Sequence, residues 1–195
     1  MKILVKQLSR SERAALIEHF QSLPPEDIYL RFGNAMNVAG RIDYVEKMDF
    51  EHDAVFGVYG DALQLVGVAH LAHNDKAAEF GISVLRGSRG LGVGTALLER
   101  AITHARNLGL NSLFVHFLAE NATIRHLAQK QGLACVTSGP DSKATVQLPA
   151  PDAGTVWGEW LDDCVALYDY NLKAQLQLLR VPVRKIPLIA TANMA

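Results

Sequence analysis

The feature that most constrains the fold is the run 79–109, in which two-residue alternation gives way, across a glycine-dense turn, to helical spacing. Before the turn, Phe80, Ile82 and Val84 alternate with Glu79, Gly81 and Ser83, as the two faces of a strand do. After it, Leu97, Leu98, Ala101, Ile102, Ala105 and Leu108 recur at the spacing that buries one side of a helix, and Gly109 stands where such a helix ends. A strand that enters a long helix through glycines leaves the first helical N–H groups without carbonyl partners, at the positive end of the helix dipole. Such a turn is suited to a phosphate. Upstream, the mid-strand carboxylate Glu79 has Gly81 beside it, and the absent side chain is expected to leave space for a substrate.

Spacing separates the kinds of phosphate turn. A nucleoside-triphosphate loop needs GxxxxGK[ST], but Gly87 is followed by Gly92 and then Val93, with no lysine to reach the phosphates. A dinucleotide fingerprint needs GxGxxG, and here Gly90-x-Gly92 meets Thr95 where the third glycine belongs, with no ribose-binding acid in a strand about 20 residues on. What fits is Arg89-x-x-Gly92-x-Gly94 between a strand and a long helix. The plain alternative is a connection without a ligand, set against the extra backbone entropy that each of Gly90, Gly92 and Gly94 loses on folding.

Around this segment the pattern reads as a strand at 3–8, a helix begun by Ser9 or Ser11 and ended by Pro24-Pro25, and helices at 26–32 and 38–48. A hairpin is expected at 53–59 and 63–71 about Gly60-Asp61, then a strand at 77–85. Beyond the central helix come a strand at 112–118, a helix at 121–131 and a last hairpin at 134–137 and 144–148. Pro149 and Pro151 mark a boundary, after which Trp157, Leu161, Val165, Tyr168 and Leu172 recur at helical spacing over 156–179. The closing stretch RVPVRKIPLIATANMA carries no clear period and is assigned no element.

Composition limits the partners. A chain of 195 residues, 49% hydrophobic and 20% charged, suits one globular domain with an addition, and its net charge of −1 excludes a global basic field for nucleic acid or an anionic membrane. Cys135 and Cys164 are expected to be reduced thiols. The apolar run in MKILVKQLSRSER is too short for a signal-peptide core and no segment approaches a membrane span, so the expectation is a soluble, cytoplasmic protein. His70 and His73 fall on opposite faces of a strand, which argues against a shared metal, and none is expected.

The motif Arg89-x-x-Gly92-x-Gly94, in this order of elements, resembles the signature of the GNAT superfamily of acyl-CoA-dependent N-acyltransferases, [Q/R]-x-x-G-x-[G/A]. The resemblance covers roughly residues 1–149 and implies an α/β (α+β) fold, a mixed, mostly antiparallel sheet of six to seven strands flanked by helices; residues 150–195 are read beside it as a C-terminal helical extension and tail. It implies acetyl-CoA as cosubstrate, its pyrophosphate cradled by Arg89, Gly90, Leu91, Gly92, Val93, Gly94 and Thr95, its pantetheine contacted by the backbone of Ile82 and Val84, and its pantetheine or phosphate region bonded by Asn121. Asn121 is also placed to N-cap the helix that follows it.

Acetyl transfer needs a neutral amine, hence a base near the thioester. Glu79 within AEF resembles the strand motif of bacterial GNAT enzymes that acetylate protein lysines, in which the glutamate is the general base; the plain alternative is a solvated edge glutamate. His116 is a second candidate, either a satisfied core histidine or a group facing the cleft. Tyr29-Leu30-Arg31-Phe32 resembles an acceptor-side segment of that branch, in which Arg31 orients an acidic acceptor or braces a helix. Ala128 stands where many relatives have a tyrosine that protonates the departing thiolate. The implied function is N-acetyltransfer to a primary amine, foremost a protein lysine, by direct attack in a ternary complex. Polyamine or aminoglycoside-like acceptors are the alternative, as is a non-catalytic acyl-CoA-binding regulatory module. Trp157, Trp160 and Tyr168 are expected in the core or in a subunit contact such as a homodimer.

Overall fold

The computed structural model describes residues 2–180. The elements run β1 (Lys6–Leu8), α1 (Arg13–Ser22), α2 (Pro25–Phe32), α3 (Val38–Glu46), β2 (Ala54–Tyr59), β3 (Leu65–His73) and β4 (Ala77–Val84). They continue with α4 (Val93–Asn107), β5 (Ser112–Leu118), α5 (Ala122–Lys130), β6 (Ala134–Ser138), β7 (Asp141–Gln147) and α6 (Ala153–Arg180). One seven-stranded sheet has the order β1-β2-β3-β4-β5-β7-β6, antiparallel throughout except between β4 and β5. The closing stretch from Val181 onward lies outside the described residues.

Local chemistry accounts for the boundaries. Of the two serines able to start a helix here, Ser9 caps a single 3-10 turn that runs into α1: it accepts from the Ser11 amide and forms a capping box with Glu12, while α1 itself begins at Arg13 without a side-chain cap. Pro24-Pro25 both ends α1 and starts α2, since Pro25 occupies a first-turn position where a missing N–H costs nothing. The last hairpin is longer than its sequence suggests, with only Gly139-Pro140 between Ser138 and Asp141.

The sheet has a core on each face. Phe56, Leu71, Phe80 and Leu113 pack with Leu97 and Leu98 of α4, while Val55 and Val68 pack with Leu16, Phe20, Ile28 and Val45 of α1, α2 and α3. Helix α4 can lie close to the sheet because β3 has Gly67 beneath it; a Cβ there would come 2.5 Å from Val93 Cγ1. The parallel pairing of β4 with β5 stops after Ala77↔Ser112, Ala78↔Leu113 and Glu79↔Phe114. Beyond Glu79 the two strands part, and the sheet opens.

Helix α6 docks in an unexpected sense. Trp157, Leu161, Val165, Tyr168 and Leu172, the apolar stripe of the sequence, are all exposed, as is Trp160, so the expectation that these aromatics join the core is corrected. The inward face of α6 is polar because the surface it covers is cationic. Arg100, on α4, is buried against the Phe56 ring and places Nη1 and Nη2 2.9 and 2.7 Å from Glu159 and Asp163. His104 Nδ1 lies 2.7 Å from Glu159, and Arg106 lies 2.6 Å from Asp152. Burying Arg100 unpaired would be costly, so the acids of α6 must turn inward and its apolar residues outward.

Candidate active site

The opening between β4 and β5 is a cleft of about 440 Å³, walled by β4 from Gly81 on, the glycine turn, His116 and Phe117 of β5, and the Asn121, Ile124 and Leu127 side of α5. Helix α2 lies over one side, contributing Asp27, Leu30 and Arg31. Past Glu79, β4 has no strand partner on this side, so alternate peptides between Phe80 and Val84 turn their N–H and C=O groups to the cleft.

At one end lies the turn singled out in the sequence. Gly90 (φ +73°) and Gly92 (φ +88°) hold backbone conformations that side chains disfavour, and Gly92 caps α4 without any side-chain hydrogen bond. Among the described residues, no carbonyl or side chain accepts a hydrogen bond from the amides of residues 90–95. Six adjacent N–H groups at one helix N-terminus thus have no acceptor among the described residues, an arrangement that fits a diphosphate. Gly94 faces the cleft, where an added Cβ would lie 3.5 Å from Leu127 Cδ2 and 3.7 Å from Ile82 Cδ1.

Not every turn residue contributes in the expected way. The Arg89 side chain is already engaged: Nε donates to Val84 O at 3.1 Å and Nη2 lies 2.6 Å from Asp27 Oδ2. Its amide bonds Arg86 O. Arg89 therefore braces the turn against α2, an arrangement that hinges on the buried Asp27, which the sequence did not mark. The Leu91 side chain is 68% exposed and outside the cleft, so only its amide can serve there. Asn121 does cap α5, accepting from Ile124 N at 3.2 Å, and its Nδ2 donates to Leu30 O at 3.4 Å, tying α5 to α2 across the cleft.

At the other end, where the strands part, His116 lines the cleft and Glu79, which is not among the lining residues, lies beside it, Oε1 3.7 Å from Nδ1, with side chains 54% and 56% exposed. His116 is thus a cleft-facing group and not a core histidine. Lys143 of β7 is opposite His116 and holds its ammonium over the Phe114 ring at 4.2 Å. The space beside Gly81 is not open: a Cβ at Gly81 would overlap the Arg31 guanidinium, which fills it. The expected substrate space is thereby corrected to a seat for Arg31. Tyr29, three residues before the end of α2, is exposed and does not line the cleft, because the helix turns it away from Arg31.

A hydrogen-bonded chain runs from Arg31 to Asp53. Arg31 donates to Tyr44 Oη (3.4 Å), Tyr44 to His70 Nδ1 (2.9 Å) and His70 Nε2 to Asp53 Oδ2 (2.9 Å). Arginine can only donate and a carboxylate here only accepts, which sets every proton along the chain and makes His70 the Nε2–H tautomer. Burial depresses the His70 pKa, with Asp53 acting against it, and burial raises that of Tyr44. Beneath the cleft, buried His19 bonds Leu65 O and Ser83 Oγ, both at 2.8 Å; its pKa is lowered to about 4 by burial, opposed by the Leu65 bond, so it is neutral with Nδ1–H donating to Leu65 and Nε2 accepting from Ser83. Neither network had a sequence signal, since each joins strands and helices far apart in the chain. Among the described residues no group of three or more His, Cys, Asp or Glu could hold a metal, and no helix is long and apolar enough to cross a membrane.

Residues 16–133 match the model of the Acetyltransferase (GNAT) family. The chain belongs to that family and is an acetyl-CoA-dependent N-acetyltransferase. Its fold is similar to the GNAT domain of S. lividans PAT, at 16% identity and a TM-score of 0.66 over 74% of this chain and 89% of that one. It is similar to spermidine N-acetyltransferase from Vibrio cholerae, solved with CoA and spermine, at 17% identity and a TM-score of 0.60 over 74% of this chain and 95% of that one. It is also similar to ribosomal-protein-alanine N-acetyltransferase from Brucella melitensis, at 18% identity and a TM-score of 0.59 over 75% of this chain and 100% of that one. At these identities the shared property is the fold.

Proposed function

We propose that the chain transfers an acetyl group from acetyl-CoA to a lysine side chain presented by a protein, with Glu79 as general base. The observation that carries this reading is the cleft that joins the amides of residues 90–95, unpartnered among the described residues, to His116, beside which Glu79 lies at 3.7 Å. A diphosphate on those amides directs the pantetheine along Ile82 and Val84, and β4 from Val84 to Glu79 spans ~17 Å at ~3.3 Å per residue. The thioester then arrives beside Glu79.

Chain residues supply three services. The unpaired peptides of β4 hold the arm, with Asn121 keeping α5 and α2 at their spacing. Glu79 accepts the ammonium proton, directly or through a water shared with His116, and the neutral amine attacks the thioester carbonyl. The thiolate departs without a strong acid, since a thiol has a pKa of ~8.5; Ala128 is buried and offers no proton. Acceptor choice follows from charge. Arg31 beside Gly81 and Lys143 beside His116 flank the base with cations, which disfavours a polyamine or other polycation, while the openness of Glu79 suits one lysine reaching in from a larger body.

Following CoA release with lysine peptides, folded protein acceptors and spermidine tests this directly. The expected result is turnover on protein acceptors, a loss of 100-fold or more in Glu79→Gln at ~10²–10⁴-fold for a general base, and unchanged CoA affinity in that variant. Full activity in Glu79→Gln refutes the base assignment. Preference for spermidine refutes the acceptor class, and tight CoA binding without turnover on any amine favours a regulatory module.

A further inference from the structure

We propose that the outward face of α6 is the contact between two copies of this chain, packed as an antiparallel helix pair about a two-fold axis. The proposal is independent of the acceptor assignment, because no residue of α6 lines the cleft.

The helix is amphipathic in the inverted sense already described: acids inward on Arg100 and His104, apolar side chains outward. Trp157, Leu161, Val165, Tyr168, Leu172 and Leu176 form a stripe along it, Trp157 being 64% and Tyr168 71% exposed, with four more exposed apolar side chains beside them. Fully exposed aromatics present ~150–250 Å² each, and the whole face leaves on the order of 1,000 Å² of side chain in water. That is more than the few hundred Å² of an ordinary surface patch and enough for the ~800 Å² per partner of a stable interface.

The stripe also indicates its occupant. Trp157 recurs as Tyr168, Leu161 as Leu172 and Val165 as Leu176, each after eleven residues, so the stripe runs straight along the helix axis. Read from either end, its spacing is the same. Pairing Trp157 with Leu176, Leu161 with Leu172 and Val165 with Tyr168 gives one common midpoint, between Ala166 and Leu167. An antiparallel second α6 centred there sets tryptophan against leucine, leucine against leucine and valine against tyrosine, leaving no end uncovered and opposing the helix dipoles. That self-complementarity is what an isologous contact requires and what a foreign partner does not. A lipid surface fits less well: over its described side chains α6 carries Glu159, Asp162, Asp163 and Asp169 against Lys173, whereas membrane-bound helices are basic on their polar side.

Light scattering and sedimentation of the full chain over a dilution series test the proposal, with a dimer mass expected. Leu161→Glu and Tyr168→Glu, each at an exposed position, should halve that mass while the far-UV circular dichroism and CoA affinity stay near native, the melting temperature losing only its dependence on protein concentration. The register is read by a short bis-maleimide in a Cys135→Ser, Cys164→Ser background. A cysteine at Val165 lies ~4.5 Å along the axis from its two-fold mate and should cross-link, whereas one at Trp157 lies ~28 Å from its mate and should not. A monomer at every concentration, a dimer indifferent to both glutamates, vesicle binding by the monomer, or cross-linking through Trp157→Cys but not Val165→Cys overturns the proposal.

Discussion

Replacing Gly92 in two ways separates backbone strain from charge at the coenzyme turn. Gly92 has φ +88°, and an added Cβ would meet only the tip of Ile3, Cδ1 at 3.3 Å, which can yield. Any L-residue there carries left-handed strain of ~1 kcal/mol, present with and without ligand, so it lowers stability and leaves affinity almost untouched. Gly92→Ala should therefore lose about 1 kcal/mol in urea titrations and bind CoA within a few-fold of native. Gly92→Asp carries the same strain and also sets a carboxylate among the free amides of residues 90–95. At ~5 Å one pair of like charges costs ~1 kcal/mol in bulk water and ~3 at an effective dielectric of 20, so two diphosphate charges cost at least ~2 kcal/mol. That is a ~30-fold or greater loss of affinity, shrinking as salt screens it. Calorimetric titration with CoA at low and high salt, beside the urea curves, reads both costs. Equal affinities for the alanine and aspartate variants, or native affinity in Gly92→Asp, would refute the placement of the diphosphate on this turn.

Two further outcomes follow from the buried networks. His19 has a folded pKa of about 4 against an ordinary value of 6.5, so its contribution is complete above pH 6.5 and is lost as the pH falls toward 4. The unfolding free energy from urea titrations should drop over that window by an amount on the order of 3 kcal/mol, and His19→Gln should flatten the slope; an unchanged slope in the variant refutes a neutral buried His19. Burial of His70 shifts it in the same direction, so the comparison between native and variant slopes, and not the native slope alone, isolates His19. Gly81→Ala should displace the Arg31 guanidinium from its seat. The expected effect is a several-fold rise in acceptor KM with CoA affinity kept and stability reduced by no more than ~1 kcal/mol, since the bond to Tyr44 is long. An unaltered acceptor KM would show that Arg31 does not touch the acceptor.

The sequence by itself determined the elements and the turn. Alternation at 80–84 and 112–118, helical spacing from Val93, and the glycines at 90, 92 and 94 are local properties, and local periodicity is written residue by residue. Asn121 as a cap was within reach for the same reason. Tertiary structure decided what those elements face. Nothing in α2 announces that Arg31 will fill the place left by Gly81, or that Asp27 will hold Arg89, because each contact joins residues that only the folded sheet brings together. Helix α6 makes the point most plainly. Its periodicity showed two faces of opposite character, and the usual choice is apolar inward; Arg100 and His104 on α4 reversed it, since a buried cation needs acids more than the core needs another tryptophan.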